Sequence, residues 1–243
     1  MANLILQRLV PIITAFVILL NSIGGIFGVV VIPYNPDRVE VSLGSKVISD
    51  VDEVLEHYNS AVKKTGFVLG SSGYEIIGTP VVTIKGSDNP AINMDAYWQG
   101  FEENPIYVFG IPGEGKLTAS DVKSAKMSVE NGKRVILISV KDYKHGLKDK
   151  NTDNPYSNAY GSSTTGFEES LSSLGMTFSS GQCEFSYTNC VISCVIDDNT
   201  GKIIYGDWDS DCTFNAKDLT MKVFDTELIF EEFSYKMGYD IDI

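Results

Sequence analysis

Asp207, Asp209, Asp211 and Asp218 stand at positions 1, 3, 5 and 12 of a calcium-loop register, with Asn215 at position 9. Hard cations take several oxygen ligands, and one tight turn in this register would supply them. Two departures weaken it. Cys212 occupies the position where the sharp turn wants glycine, and Asp218 is shorter than the usual bidentate glutamate. On a strand, the same alternation simply lines the aspartates along one solvent face.

The four cysteines, Cys183, Cys190, Cys194 and Cys212, are spaced C-x6-C-x3-C-x17-C. Only Cys190 and Cys194 fit a zinc-knuckle spacing, so a structural zinc site is not expected. In an oxidising compartment an even, clustered set reads as disulfides, and at least one is expected. Free buried thiols are the alternative. Three pairings are open and spacing does not choose among them.

Other chemistry finds little purchase. There are two histidines: His57 borders an apolar helical stripe, and His145 sits in a polar stretch. No Gly-x-Ser-x-Gly elbow is present. Gly110-Ile-Pro-Gly-Glu-Gly115 lacks the Lys-Ser/Thr of a phosphate loop and carries Glu114 where phosphate would sit. With 32 acids in the chain, Glu102-Glu103 and Glu231-Glu232 carry no weight as a hydrolytic pair. The aromatics are the remaining lead. Tyr97, Trp98, Phe101, Tyr107 and Phe109 crowd together, and Tyr143, Tyr156 and Tyr160 frame the polar stretch. They read as core or as the lining of an apolar or carbohydrate-binding surface. No catalytic residue, metal or cofactor is assigned.

Composition sets the broader bounds. The chain has 243 residues, a net charge of −13 and a pI near 4.5. That charge argues against nucleic acid, whose phosphates need concentrated positive charge. Apolar residues make up 43% and charged residues 21%, enough for a packed core.

Residues 9–32 contain no charged side chain. A helix of that length crosses a hydrocarbon layer about 30 Å thick. Arg8 flanks one end, so the carboxyl portion is expected outside the cytoplasm. Two versions are open. In one, residues 9–32 are an uncleaved membrane anchor. In the other, Ser22-Ile-Gly24 is a signal-peptide cleavage site, and the protein is secreted.

The elements that would position any site follow. Residues 1–32 form the signal or transmembrane segment, 33–45 a linker, and 46–243 an extracytoplasmic domain. Residues 46–64 carry a helical stripe of Val47, Val51, Val54, Leu55, Tyr58 and Val62, with Ser49 as the expected cap. Asn131-Gly132 predicts a type I′ hairpin between two β-rich runs. Residues 144–166 read as a polar loop. Extended runs are expected at 74–77, 81–85, 106–111, 184–196, 202–209 and 219–233, the last as one strand or two, with a turn at 197–201. The expected fold class is α+β: an amphipathic helix packed on a mostly antiparallel curved sheet.

Four segments taken together resemble a group of uncharacterised secreted or membrane-anchored proteins of Clostridia-like Firmicutes. They are VDEVLEHYNSAVKK at 51–64, KLTASDVKSA at 116–125, NGKRVILISVKD at 131–142 and YTNCVISCVIDDNTGKI at 187–203. The resemblance implies an extracytoplasmic helix-plus-sheet domain and carries no activity. In outline the expected fold is also similar to bacterial lipoprotein-carrier domains, which hold acyl chains against a concave sheet.

The expected function is a non-enzymatic, membrane-anchored binding domain for a lipid, another apolar ligand or a cell-surface ligand. A structural or adhesive surface protein, or a secreted hydrolase of cell-wall or sugar polymers, are the alternatives.

Overall fold

The computed structural model describes residues 41–78, 81–85, 106–161, 165, 168–169, 172, 176–223 and 226–243. The expected anchor at 9–32, the cleavage site and Tyr97, Trp98 and Phe101 lie outside these residues. No helix among the described residues is long and apolar enough to cross a membrane.

Along the chain come β1 (Val47–Ile48), α1 (Val51–Thr65), β2 (Phe67–Ile76), β3 (Val81–Ile84), β4 (Ile106–Gly110), β5 (Val122–Glu130), β6 (Lys133–Val140) and β7 (Tyr143–Gly146). Then follow α2 (Pro155–Tyr160), β8 (Met176–Asp197), β9 (Ile203–Val223) and β10 (Thr226–Asp242). The strands form one ten-stranded sheet in the order β1-β5-β6-β8-β9-β10-β2-β4, with β7 added to β8 and β3 to β10. Every pairing is antiparallel. The result is a mostly-β member of the α+β class.

α1 forms where its stripe predicts, with two corrections. The cap is Asp50, not Ser49: its carboxylate accepts from Glu53 N–H at 3.1 Å. Val47 leaves the stripe because Val47 and Ile48 pair with Ser128 and Met127 of β5. Asp52 and Glu53 in the first turn and Lys63 and Lys64 in the last complement the helix dipole. Val54, Leu55, Tyr58, Ala61 and Val62 are buried on the sheet. Each fully buried aliphatic chain contributes about 1.5–3 kcal/mol.

The inner face of the sheet is set by strand parity. Ile136, Ile138 and Val140 come from β6, and Trp208, Ser210, Cys212, Phe214 and Ala216 from β9. On β8, Phe185 and Tyr187 face in, then a bulge between Thr188 and Val191 shifts the phase, so Cys190, Ile192, Cys194 and Ile196 face in as well. Asn189 turns that bulge at φ 53°. Trp208 is the largest fully buried side chain, and its Nε1–H donates to Tyr58 Oη at 3.0 Å.

The supposed polar loop at 144–166 is in part ordered secondary structure. β7 pairs with β8 through Tyr143–Tyr187 to Gly146–Glu184. α2 is capped by Asn154, which accepts from Ser157 N–H at 2.9 Å, opened by Pro155, and closed by left-handed Gly161. α2 lies on the same face of the sheet as α1. Tyr156 stacks on Tyr187 at 3.8 Å between ring centroids and reaches Ser210 Oγ at 3.3 Å. Tyr160 donates to backbone carbonyls of Val191 and Asp209. These two tyrosines belong to the core, not to a ligand-lined loop.

Residues 202–209 extend into the first part of the 219–233 run, and that run is two strands. β9 runs unbroken to Val223, and β10 begins at Thr226.

Candidate functional site

The inner face can be assessed residue by residue. His145 is 5% exposed. Its ring packs among Tyr143 (5.5 Å between centroids), Phe185 (5.1 Å) and Tyr187 (6.0 Å), and Nδ1 lies 2.9 Å from Gly146 O. Burial lowers its pKa below 6.5, opposed in part by the Gly146 carbonyl and the Asp149 carboxylate. The unfolded chain therefore takes up this proton first as pH falls. The stabilising contribution is complete above about pH 6.5 and is lost as pH drops toward the lowered folded-state value, at up to about 1.4 kcal/mol per pH unit. Denaturant midpoints measured between pH 7.5 and 5.5 will fall, and His145→Phe will flatten that slope. An unchanged slope in the variant would assign it elsewhere.

His57 is half-buried on α1. The Arg134 guanidinium, which has only donors, donates to His57 Nδ1 at 3.2 Å, and its Nε pairs with Asp198 at 3.0 Å. This chain ties α1 and β6 to the β8–β9 turn, whose Asp198 N–H also donates to Gly132 O. It is a positioning network.

The expected disulfide is corrected: all four cysteines are free. Register is the reason. A cross-strand disulfide needs facing residues roughly 5.5 Å apart at Cα. Cys194 instead faces Gly206 and Ile136, Cys212 faces Tyr187 and Met237, and Cys183 faces Ala216. Cys190 sits at the bulge, and its thiol lies 3.5 Å from Thr188 O. Burial pushes all four thiols up to about 12. At pH 8 the thiolate is then about one part in ten thousand, too little for nucleophilic chemistry. Thiol titration will therefore count four groups in denaturant, while in the native protein half-buried Cys183 reacts slowly and the three buried thiols react only on the timescale of unfolding. A reductant will leave the number of free thiols unchanged. Two or fewer thiols in unreduced denatured protein would restore the disulfide.

The alternating aspartates fall on a strand. Asp207, Asp209, Asp211 and Asp218 lie on β9, not in a loop. An extended strand separates Asp207 from Asp218 by about 36 Å, so no ion spans them. No group of three or more acidic, histidine or cysteine side chains among the described residues is placed to hold a metal.

The outer face of the sheet carries what remains. Asp207, Asp209 and Asp211 alternate along β9 on the side opposite Trp208 and Ser210. Across the register Asp207 faces Ser193 and Asp242, and Asp209 faces Val191 and Asp240. Asp211 is held by Lys236 Nζ at 2.8 Å and Asn189 Nδ2 at 2.7 Å. Beside this acidic row, Val135 and Leu137 of β6 and Val195 of β8 are half-buried, while Val191 is 39% exposed. The sequence hid this surface because its face depends on the bulge at Asn189, which has no glycine to mark it. Of the predicted aromatic surface, only Tyr107 and Phe109 fall in the described residues, on β4.

Comparison with protein-family models, with curated proteins and with solved structures found no match.

Proposed function

We propose that this chain is a non-enzymatic, membrane-anchored extracytoplasmic domain that acts by presenting the outer face of its sheet to a ligand or partner. One observation carries the reading. α1, α2 and the buried aromatics occupy the inner face, so the described surface open to a partner is the acidic and valine-bearing face of β6, β8 and β9. A lipid-carrier mode needs the inner face for acyl chains, and here that face is taken up by Tyr58, Phe185, Trp208 and Phe214. The uncharged stretch at 9–32 supports the anchor, and the resemblance of the four segments to secreted or anchored proteins agrees with it.

The test is a photo-crosslinking residue placed at Val191 in the full chain, with Glu56 on the exposed side of α1 as the control position. The reading predicts crosslinked products from intact cells at Val191 in excess of the control. Equal yields at the two positions would sink it.

A structural or adhesive surface protein is the second reading, and strand length favours it. β8, β9 and β10 run 22, 21 and 17 residues, a ribbon reaching about 70 Å.

A further inference from the structure

The net charge of −13 conceals an end of opposite sign. At one end of the sheet, the β5–β6 turn, the β8–β9 turn and the carboxyl end of α1 are stitched together. Asp198 N–H donates to Gly132 O at 2.9 Å, and Ile203 N–H to Thr65 Oγ1 at 2.9 Å. Lys64 Nζ lies over Gly201, 3.1 Å from where a β-carbon would stand. Exposed Lys46, Lys63, Lys64, Lys133 and Lys202, with half-buried Arg134, lie on the elements that meet there, and the Lys63 stem packs beside Gly115. None of the five lysines forms an ion pair with a described residue.

The carboxylates of these turns are Glu130, Asp197 and Asp198, and each is already held. Ser45 N–H donates to Glu130 at 3.0 Å, Thr200 N–H and Oγ1 donate to Asp197 at 2.7 and 2.9 Å, and Arg134 pairs with Asp198 at 3.0 Å. On the two turns Lys133, Arg134 and Lys202 balance these three acids, and Lys46, Lys63 and Lys64 add three cations beside them.

The amino-terminal chain joins the domain at this same end. Gly44 N–H donates to Ser128 Oγ at 2.9 Å and Ser45 bonds Glu130. In register Glu130 faces Lys133, and Lys133 faces Asp197 at the start of the lysine-bearing turn. Fully extended, the chain between residues 32 and 41 reaches at most about 32 Å. A domain tethered that closely keeps its joining end near the bilayer, where lysines are drawn to anionic headgroups within about a Debye length.

We infer that this basic end docks on the anionic membrane surface and holds the sheet upright, with its outer face turned to the surroundings. The inference rests on the membrane-anchor reading.

The test uses the full chain in bilayer nanodiscs, either rich in phosphatidylglycerol or made of phosphatidylcholine alone. Lysines are acetylated briefly and read by mass spectrometry. Lys46, Lys133 and Lys202 are expected to react at least about threefold more slowly on the anionic bilayer, with protection lost near 0.5 M salt. Lys217 and Lys222, on the distal half of β9, are expected to react equally on both. A chain that enters the discs but shows the same lysine reactivity in both lipids overturns the docking and leaves the anchor standing. A chain that does not enter the discs overturns the anchor and the docking together. Protection conferred by soluble polyphosphate and not by the discs overturns the bilayer as partner.

Discussion

Trp208→Ala is expected to cost about 3–5 kcal/mol of unfolding free energy and to lower the melting temperature by roughly 6–20 °C for a domain of this size. The indole is fully buried where α1 meets the centre of the sheet. Its far ring edge lies over Gly206, two residues earlier on the same face, 2.4 Å from where a β-carbon would stand. Its N–H is satisfied by Tyr58 at 3.0 Å. Removing the ring opens a cavity that β8 and β9 cannot close, because both are pinned by neighbours on each side. The polar half of the contact is separable. Tyr58→Phe strands the indole N–H and is expected to cost about 1–3 kcal/mol. Equilibrium denaturation of the two single variants and the double variant measures both parts. A loss below about 1 kcal/mol for Trp208→Ala would mean that the helix does not dock here.

Gly113→Ala is expected to have the second-largest effect, about 2–4 kcal/mol. Gly113 has φ 87°, and a β-carbon there would stand 2.5 Å from Ala159 O and 2.6 Å from Asn158 O. Both obstacles are backbone atoms of α2, so neither can swing aside. The helix would have to lift, uncovering the Tyr156–Tyr187 stack. Gly132→Ala is the control, since Gly132 has a similar φ of 74° with nothing within 4 Å. It should show only the conformational strain, about 1 kcal/mol. Thermal melts of the two variants compare steric and conformational cost directly. Equal losses would show that α2 is free to move off the Gly113 loop.

How far the sequence reached depended on whether the deciding signal was local. α1 was legible because Val54, Leu55, Tyr58 and Val62 repeat at helical spacing, and Asn131-Gly132 marked its hairpin without help from the rest of the chain. The cap was misplaced by one residue because Ser49 and Asp50 are both good caps, and the β1–β5 pairing decided between them. α2 carried readable signals, Asn154-Pro155 at its start and Gly161 at its end. They were masked by the polar residues around them. Tyr156 and Tyr160, spaced one helical turn apart, were the clue that this stretch turns inward.

The cysteines were misread for a longer-range reason. Their facing depends on strand parity, and parity on β8 is reset by Asn189 in a left-handed conformation. Compartment-based reasoning favoured disulfides, but register leaves Cys183, Cys194 and Cys212 facing residues other than cysteine and puts Cys190 in the bulge. The aspartates follow the strand alternative because β9 continues straight through them, paired with both β8 and β10.

The most direct test of the tethered, outward-facing domain is labelling intact cells with a membrane-impermeant amine reagent, followed by alkaline washing of their membranes. The account predicts labelled full-length chain in the washed pellet. Unlabelled chain recovered in the soluble cytosol would contradict it.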